Sequence, residues 1–415
     1  MRSPQRAGEP AAPATPRGAF ASLHVRPFPR LWAAGWVWHA CRYMGIFVSS
    51  YQVNQLTGSP LLVQLVGAAF FAPMFFGGVL AGTISDRFDR KRTITRQLAV
   101  LGPAALAMGA LVASERAPVW AIYLFVGAIG TGNVVDMTSR RTLVIDLVGP
   151  SLVTNVVALE SLALHAGTTI GGLSGGAVIA WLGVGPVYMV IGALYLAAVG
   201  LFRVAPSQPV SPDAPARLPL RADIAAGLVL LRTHPLLRSV LGVTVLMNFF
   251  YYAFMPLVPV FAERLEVGAL RAGLLASALG LGTMSGSLLV AWRQPRRRGR
   301  LYVGGPLLAM ALLAAFANVS SYWPALALLM GCGLAAAGFG STQGSIVATS
   351  TDPVVRGRAM GLLSMAIGGL PFGMLSLGLV AQRTNPALAV TVSCALGFVI
   401  VAGWQLARPA VWRLE

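Results

Sequence analysis

Arg42, Glu160 and His165 stand well inside apolar stretches of this 415-residue chain. A charge in such surroundings is costly, so each implies a partner, water or a proton to carry. At ~1.5 Å per helical residue, Arg42 lies about 16 Å into its run and Glu160 about 12 Å into its own. The two depths are measured from the same end. The sequence therefore predicts that Glu160 pairs with Arg42, and that protonation of Glu160 releases the pair. At ~100° per residue, Glu160 shares a helix face with Gly167 and Gly171, whereas His165 shares the other with Gly172 and Gly176. His165 is then an alternative proton carrier or a hydrogen-bonded core residue. Asp136 stands four residues before Arg140, the spacing of a local ion pair on one helix. Trp38, Asn248, Tyr252 and Gln343 are candidates to line a cavity, with packing or interface anchoring as the competing role of the aromatics. There is no phosphate-binding loop, no metal cluster and no carboxylate pair within one run, so neither an enzyme nor a cofactor is expected. Cys41, Cys332 and Cys394 fall in apolar runs without metal or disulfide spacing and read as small buried hydrophobes.

What must position these residues follows from composition. The chain is 56% hydrophobic and 11% charged, against about a quarter charged in soluble domains. Lipid is the simplest solvent for it. Runs of the ~20 apolar residues needed to cross a bilayer occur at 31–55, 61–84, 97–114, 118–138, 152–182, 185–203, 237–262, 269–292, 301–318, 323–349, 357–381 and 386–407. The net charge of +18 does not point to nucleic acid, because the Arg residues cluster in alternate gaps, at 87–96, 140–141, 217–238, 293–300 and 356–358. The positive-inside rule then puts both termini in the cytoplasm of a multi-pass protein. The excess of Arg over the single Lys, Lys91, fits a GC-rich bacterium and its inner membrane. Residues 1–25 are Pro-, Ala- and Arg-rich, lack a signal-peptide core and read as a disordered cytoplasmic tail. The Pro- and Ser-rich stretch 204–236 reads as a cytoplasmic linker between six-helix bundles at 26–203 and 237–415. Aligning Pro150 with Pro353 also aligns Ser161 with Ser364, a weak internal repeat at half the chain.

Two motifs add a resemblance. The gap after the second run, GTISDRFDRKR, resembles the signature loop of the major facilitator superfamily, with Gly82, Asp86, Arg87 and Arg90 in its places. Asp89 stands where that family usually has a second Gly, and Asp tolerates a left-handed backbone. The fifth run holds GTTIGGLSGG, which resembles the superfamily's antiporter signature through Gly167, Gly171, Gly175 and Gly176, with Gly172 in place of Pro. The stretch from 133 to 161 and the entry to the first run are similar to the enterobactin and macrolide efflux branch. Many proton-driven drug exporters carry an Arg within the fourth span, and LFVGAIGTG here has none. The resemblance implies twelve transmembrane helices in two six-helix bundles, a conformational latch at Asp86, and a secondary transporter working by alternating access. Proton-driven efflux of a small amphipathic molecule is the expected activity, with protons and the lipid bilayer as partners and a monomer as the working unit. The alternatives are proton-coupled nutrient uptake or a receptor-like protein that moves nothing.

Overall fold

The computed structural model describes residues 20–87, 89–203, 229–293, 297–352 and 355–412; the side chains of 76–87, Arg141, Pro150, Arg298 and Gly357 lie outside that description, as does the expected linker from 204 to 228. Every regular element among the described residues is helical. The first six long helices are α1 (Phe28–Thr57), α2 (Pro60–Arg87), α3 (Arg90–Ala113), α4 (Val119–Val148), α5 (Val153–Leu182) and α6 (Val184–Phe202). The second six are α7 (Pro235–Arg264), α8 (Ala269–Arg293), α9 (Arg298–Ala317), α10 (Tyr322–Ser350), α11 (Arg356–Gly368, continuing as Leu370–Arg383) and α12 (Pro386–Ala407). Ten of the twelve are long and apolar enough to cross a membrane as they stand. With α1, which carries Arg30 and Arg42, and α2 they make the expected twelve.

Local chemistry sets the joints. α1 ends on Gly58, whose φ of 59° is a left-handed conformation that costs glycine little. Asp89 does not adopt the left-handed turn anticipated for it: its φ is −55°, and its side chain accepts from the Arg92 amide, 2.8 Å away. It caps α3 instead of imitating glycine. Pro256 interrupts α7, which passes through a 3₁₀ segment at Tyr252–Leu257 before resuming.

Two sequence expectations need correction. The fourth span does not stop for an Arg-bearing loop at 140–141. Its helix continues through a π-helical turn, Asp136–Arg140, to Val148, and Arg140 is buried. The tail reading of 1–25 also overreaches. Ala21–His24 form a 3₁₀ turn, and the Ser22 amide and hydroxyl donate to Asn155 Oδ1 at 3.0 and 2.6 Å. This anchor is a single side-chain contact made across the fold, so it has no periodicity to betray it.

Within the first six helices α1 packs on α5 and α6, α2 on α4, and α3 on α6; within the second, α8 and α9 flank α10, and α12 packs on α9 and α7. The seam between the sets runs along α5–α8 and α2–α11. Among the described residues four hydrogen bonds tie it: Asn54 Nδ2 to Glu263 Oε2 at 2.5 Å, Ser59 Oγ to Gln382 Oε1 at 2.7 Å, Gln64 Nε2 to the Ala253 carbonyl at 2.9 Å, and Ser277 Oγ to the Thr169 carbonyl at 2.6 Å. All four lie in the half of the bundle that faces the Arg-poor connections.

Candidate functional site

The strongest concentration of buried charge is in the first six helices, around Arg140. The Arg140 side chain is 3% exposed. Its Nε donates to Asp136 Oδ1, one turn back on α4. Its Nη2 lies 2.7 Å from Glu160 Oε2 on α5 and 3.3 Å from His39 Nε2 on α1. Three helices thus meet at one guanidinium. Gly35 makes room for it: a Cβ there would lie 2.6 Å from Arg140 Nη1. The wider turn of the π segment carries both Asp136 and Arg140, the kind of local irregularity that recurs at functional sites. Asp136, Glu160 and His39 are all buried. Among the described residues Glu160 Oε1 and Arg140 Nη1 are buried without a hydrogen-bond partner. The junction therefore keeps one carboxylate oxygen unengaged beside an ion pair.

Glu160 accordingly does not pair with Arg42. Arg42 Nη1 donates to Asn133 Oδ1 on α4, and the guanidinium sits 4.6 Å from the Tyr43 ring centroid. Equal depth was the correct clue to the region and the wrong clue to the partner, because depth along two helices says nothing of azimuth. The local ion pair between Asp136 and Arg140 is present as the i, i+4 spacing requires. The sequence alone sets Arg140 with Arg141 in a polar gap. The signal that could have found it was that same Asp136 spacing, since an arginine already paired on its own helix can afford burial.

The two faces of α5 separate as the wheel predicts. Gly167 and Gly171 face α1, where added Cβ atoms would lie 2.5 Å from His39 Cβ and 2.6 Å from the Ala40 carbonyl. Gly175 also faces α1, against Phe47. Gly172 and Gly176 face α8 instead: their Cβ atoms would approach Ser277 Oγ and Gly273 Cα, each to 2.8 Å. Of the four antiporter-like glycines only Gly176 belongs to the seam, with Gly172 beside it. His165 is partly buried on α5, apart from the Arg140 junction.

The cavity candidates divide. Trp38 is 2% exposed and stacks on Tyr195 at 5.6 Å inside the first six helices, so it is core. Asn248 donates to the Thr244 carbonyl of its own helix at 2.8 Å, and Gln343 donates to Thr244 Oγ1 at 2.7 Å; both are buried in the second six. Only Tyr252 keeps partial exposure, edge-on to Tyr251 and tilted against Phe339. Shifted by the interval that aligns Pro150 with Pro353, Arg140 falls on Gln343 and Asp136 on Phe339. The position that carries charge in one half carries a neutral hydrogen bond in the other.

Of the latch residues, the side chains of Gly82, Asp86 and Arg87 lie outside those described. Arg90 lies 2.5 Å from Asp146 at the end of α4, a pair open to solvent. The three cysteines are free and buried.

The family model described as Major Facilitator Superfamily matches residues 31–373. Among curated proteins, the chain is 26% identical over 365 residues to an enterobactin exporter of Shigella flexneri, covering 84% of this chain and 83% of that one. It is 27% identical over 361 residues to the enterobactin exporter of Citrobacter koseri, covering 84% of each. Among solved structures, a bacterial homologue of the human lysosomal transporter Spinster, inward-facing and unoccupied, superposes with a TM-score of 0.68 at 17% identity, over 93% of this chain and 97% of that one. A peptide transporter superposes with a TM-score of 0.75 at 12% identity, over 97% of each. At such identities the structures attest the fold alone.

Proposed function

The chain belongs to the Major Facilitator Superfamily and is a multi-pass membrane transporter, and from that premise we propose that it exports a small amphipathic molecule of the siderophore class in exchange for protons. The observation that carries the reading is one buried guanidinium shared by two carboxylates. In a lone buried ion pair, protonating the acid strands the base, and breaking such a pair by removing one partner costs about 3–5 kcal/mol. Here Arg140 keeps Asp136 when Glu160 takes a proton. The junction can change charge by one without leaving a cation unpaired in a low-dielectric interior. Glu160 Oε1, which has no partner, is the atom that would receive the proton.

The one-sided Arg distribution places both termini in the cytoplasm of a bacterial inner membrane. In that orientation the hydrogen-bonded seam closes the outer side, which is one end state of an alternating-access cycle. Protonation of Glu160 would loosen the tie between α5 and α4. Because α5 also forms the seam with α8, that change reaches the element that must move. The export direction is supported by kinship with proteins named as exporters.

Everted vesicles from overexpressing cells, with enterobactin as probe, test the reading. Acidifying the lumen should drive uptake, and a protonophore should abolish it. Glu160→Gln in proteoliposomes should retain downhill exchange and lose stimulation by the gradient. Wild-type gradient dependence in that variant would remove Glu160 as the coupling site. Accumulation in right-side-out vesicles under an inward proton gradient would replace export by uptake.

A further inference from the structure

His39 faces Arg140 Nη2 beside Glu160 Oε2 at 2.7 Å and Asp136 Oδ2 at 3.4 Å. It is buried on α1, its Cβ packed into the gap that Gly167 leaves on α5. A guanidinium can only donate, so in the 3.3 Å hydrogen bond to Arg140 Nη2 the His39 Nε2 is the acceptor. That same Nη2 is the nitrogen that meets Glu160 Oε2 at 2.7 Å. One donor nitrogen is therefore shared by Glu160, by Asp136 and by a neutral acceptor.

We propose that His39 is a positioning residue for proton coupling: a neutral acceptor that competes with Glu160 for Arg140 and so sets the pH at which Glu160 takes up its proton. The inference rests on the reading of Glu160 as the proton site. When Glu160 is ionised it holds Nη2 by charge. When Glu160 is protonated that attraction is lost, and His39 Nε2 keeps the guanidinium from being left with Asp136 alone. The acceptor thereby stabilises the protonated junction more than the ionised one. Without it, Arg140 has less to turn to, and protonation of Glu160 requires a lower pH.

The described elements packed around His39 bring further titratable groups. Its own helix carries Arg42 and Tyr43. α4 brings Asp136 and Arg140, α5 brings Glu160 and His165, and α6 brings Tyr195. The part of α2 whose side chains are described, 60–75, carries no ionisable residue, and α7 presents Tyr252, which is close enough to Tyr43 to interact with it electrostatically.

The test needs no transported substrate. Full-length protein is reconstituted in bilayers of phosphatidylethanolamine and phosphatidylglycerol, and the carbonyl-stretch band of protonated carboxyl groups is followed by infrared difference spectroscopy across pH. Subtracting Glu160→Gln identifies the Glu160 band. In His39→Leu the midpoint of that band should move to lower pH by about one unit, the scale of a hydrogen bond to a charged group. In His39→Gln, whose side-chain carbonyl reaches the same distance as an acceptor, the midpoint should return to within a few tenths of a unit of wild type. An unchanged midpoint in His39→Leu, or an equal shift in both variants, overturns the proposal; equal shifts would mean that the imidazole itself titrates. If no band is lost in Glu160→Gln, it is the reading of Glu160 that fails. The Gln variant keeps the size and polarity of the site, so the comparison survives even where the Leu variant folds poorly.

Discussion

Removing Arg140 should be far more damaging than removing either of its acids. Arg140→Met leaves two carboxylates buried at 4% and 7% side-chain exposure, with nothing to neutralise them in place. At an effective dielectric of about 20, each contact of this kind is worth roughly 4 kcal/mol of attraction before desolvation. Desolvation cancels much of that in the intact junction, but not once the cation is gone. The expected loss is about 3–5 kcal/mol, the cost of stranding a buried charge. Glu160→Gln removes one acid, leaves the Asp136 pair intact and should cost about 1–2 kcal/mol, nearer a lost hydrogen bond to a charged group. The triple variant Asp136→Asn, Arg140→Met, Glu160→Gln has no charge left to strand. It should recover most of the stability while remaining uncoupled. The assay is equilibrium unfolding of the purified protein in mild detergent, followed by tryptophan fluorescence, with monodisperse yield as a control. Wild-type stability in Arg140→Met, or a triple variant no better than it, would refute the argument that the junction is a buried, mutually dependent charge set.

Three further outcomes are expected. If the Arg-rich gaps face the cytoplasm, as proposed, a cysteine at position 58 should label from outside intact cells and one at 213 should not; the reverse pattern would invert the topology. Asp86→Asn should lower transport far more than folded yield, through a shift of about 1–2 kcal/mol between end states; unchanged kinetics would remove the latch role. Gly176→Val should weaken the α5–α8 seam, because a side chain there meets Gly273 and the Ala269 carbonyl. A reporter cysteine on the outer side of α8 should then react faster, and unchanged reactivity would show that the seam yields without opening.

The solvent and the number of spans were legible in the sequence by itself, and the orientation proposed for them rests on it too. Those follow from one-dimensional quantities: run length against bilayer thickness, and which gaps hold arginine. It also determined the two faces of α5, because helical periodicity is local, and the Asp136–Arg140 pair, because one turn of helix brings them together. The partner of Glu160 was decided only in three dimensions. Depth along the helices points to Arg42 alone; the pairing with Arg140 turns on helix azimuth, on the π turn that carries Arg140, and on a glycine at 35 that gives its guanidinium space. The same holds for Trp38, whose identity suited a cavity but whose neighbour Tyr195 made it core. His39 stands about as deep in its apolar run as Glu160 in its own, but depth does not say which buried histidine meets a charge. Its significance is a distance to a residue one hundred and one positions away. Long-range pairing of this kind is set by how helices rotate to fill one another's grooves, and that is a property of all the side chains at once.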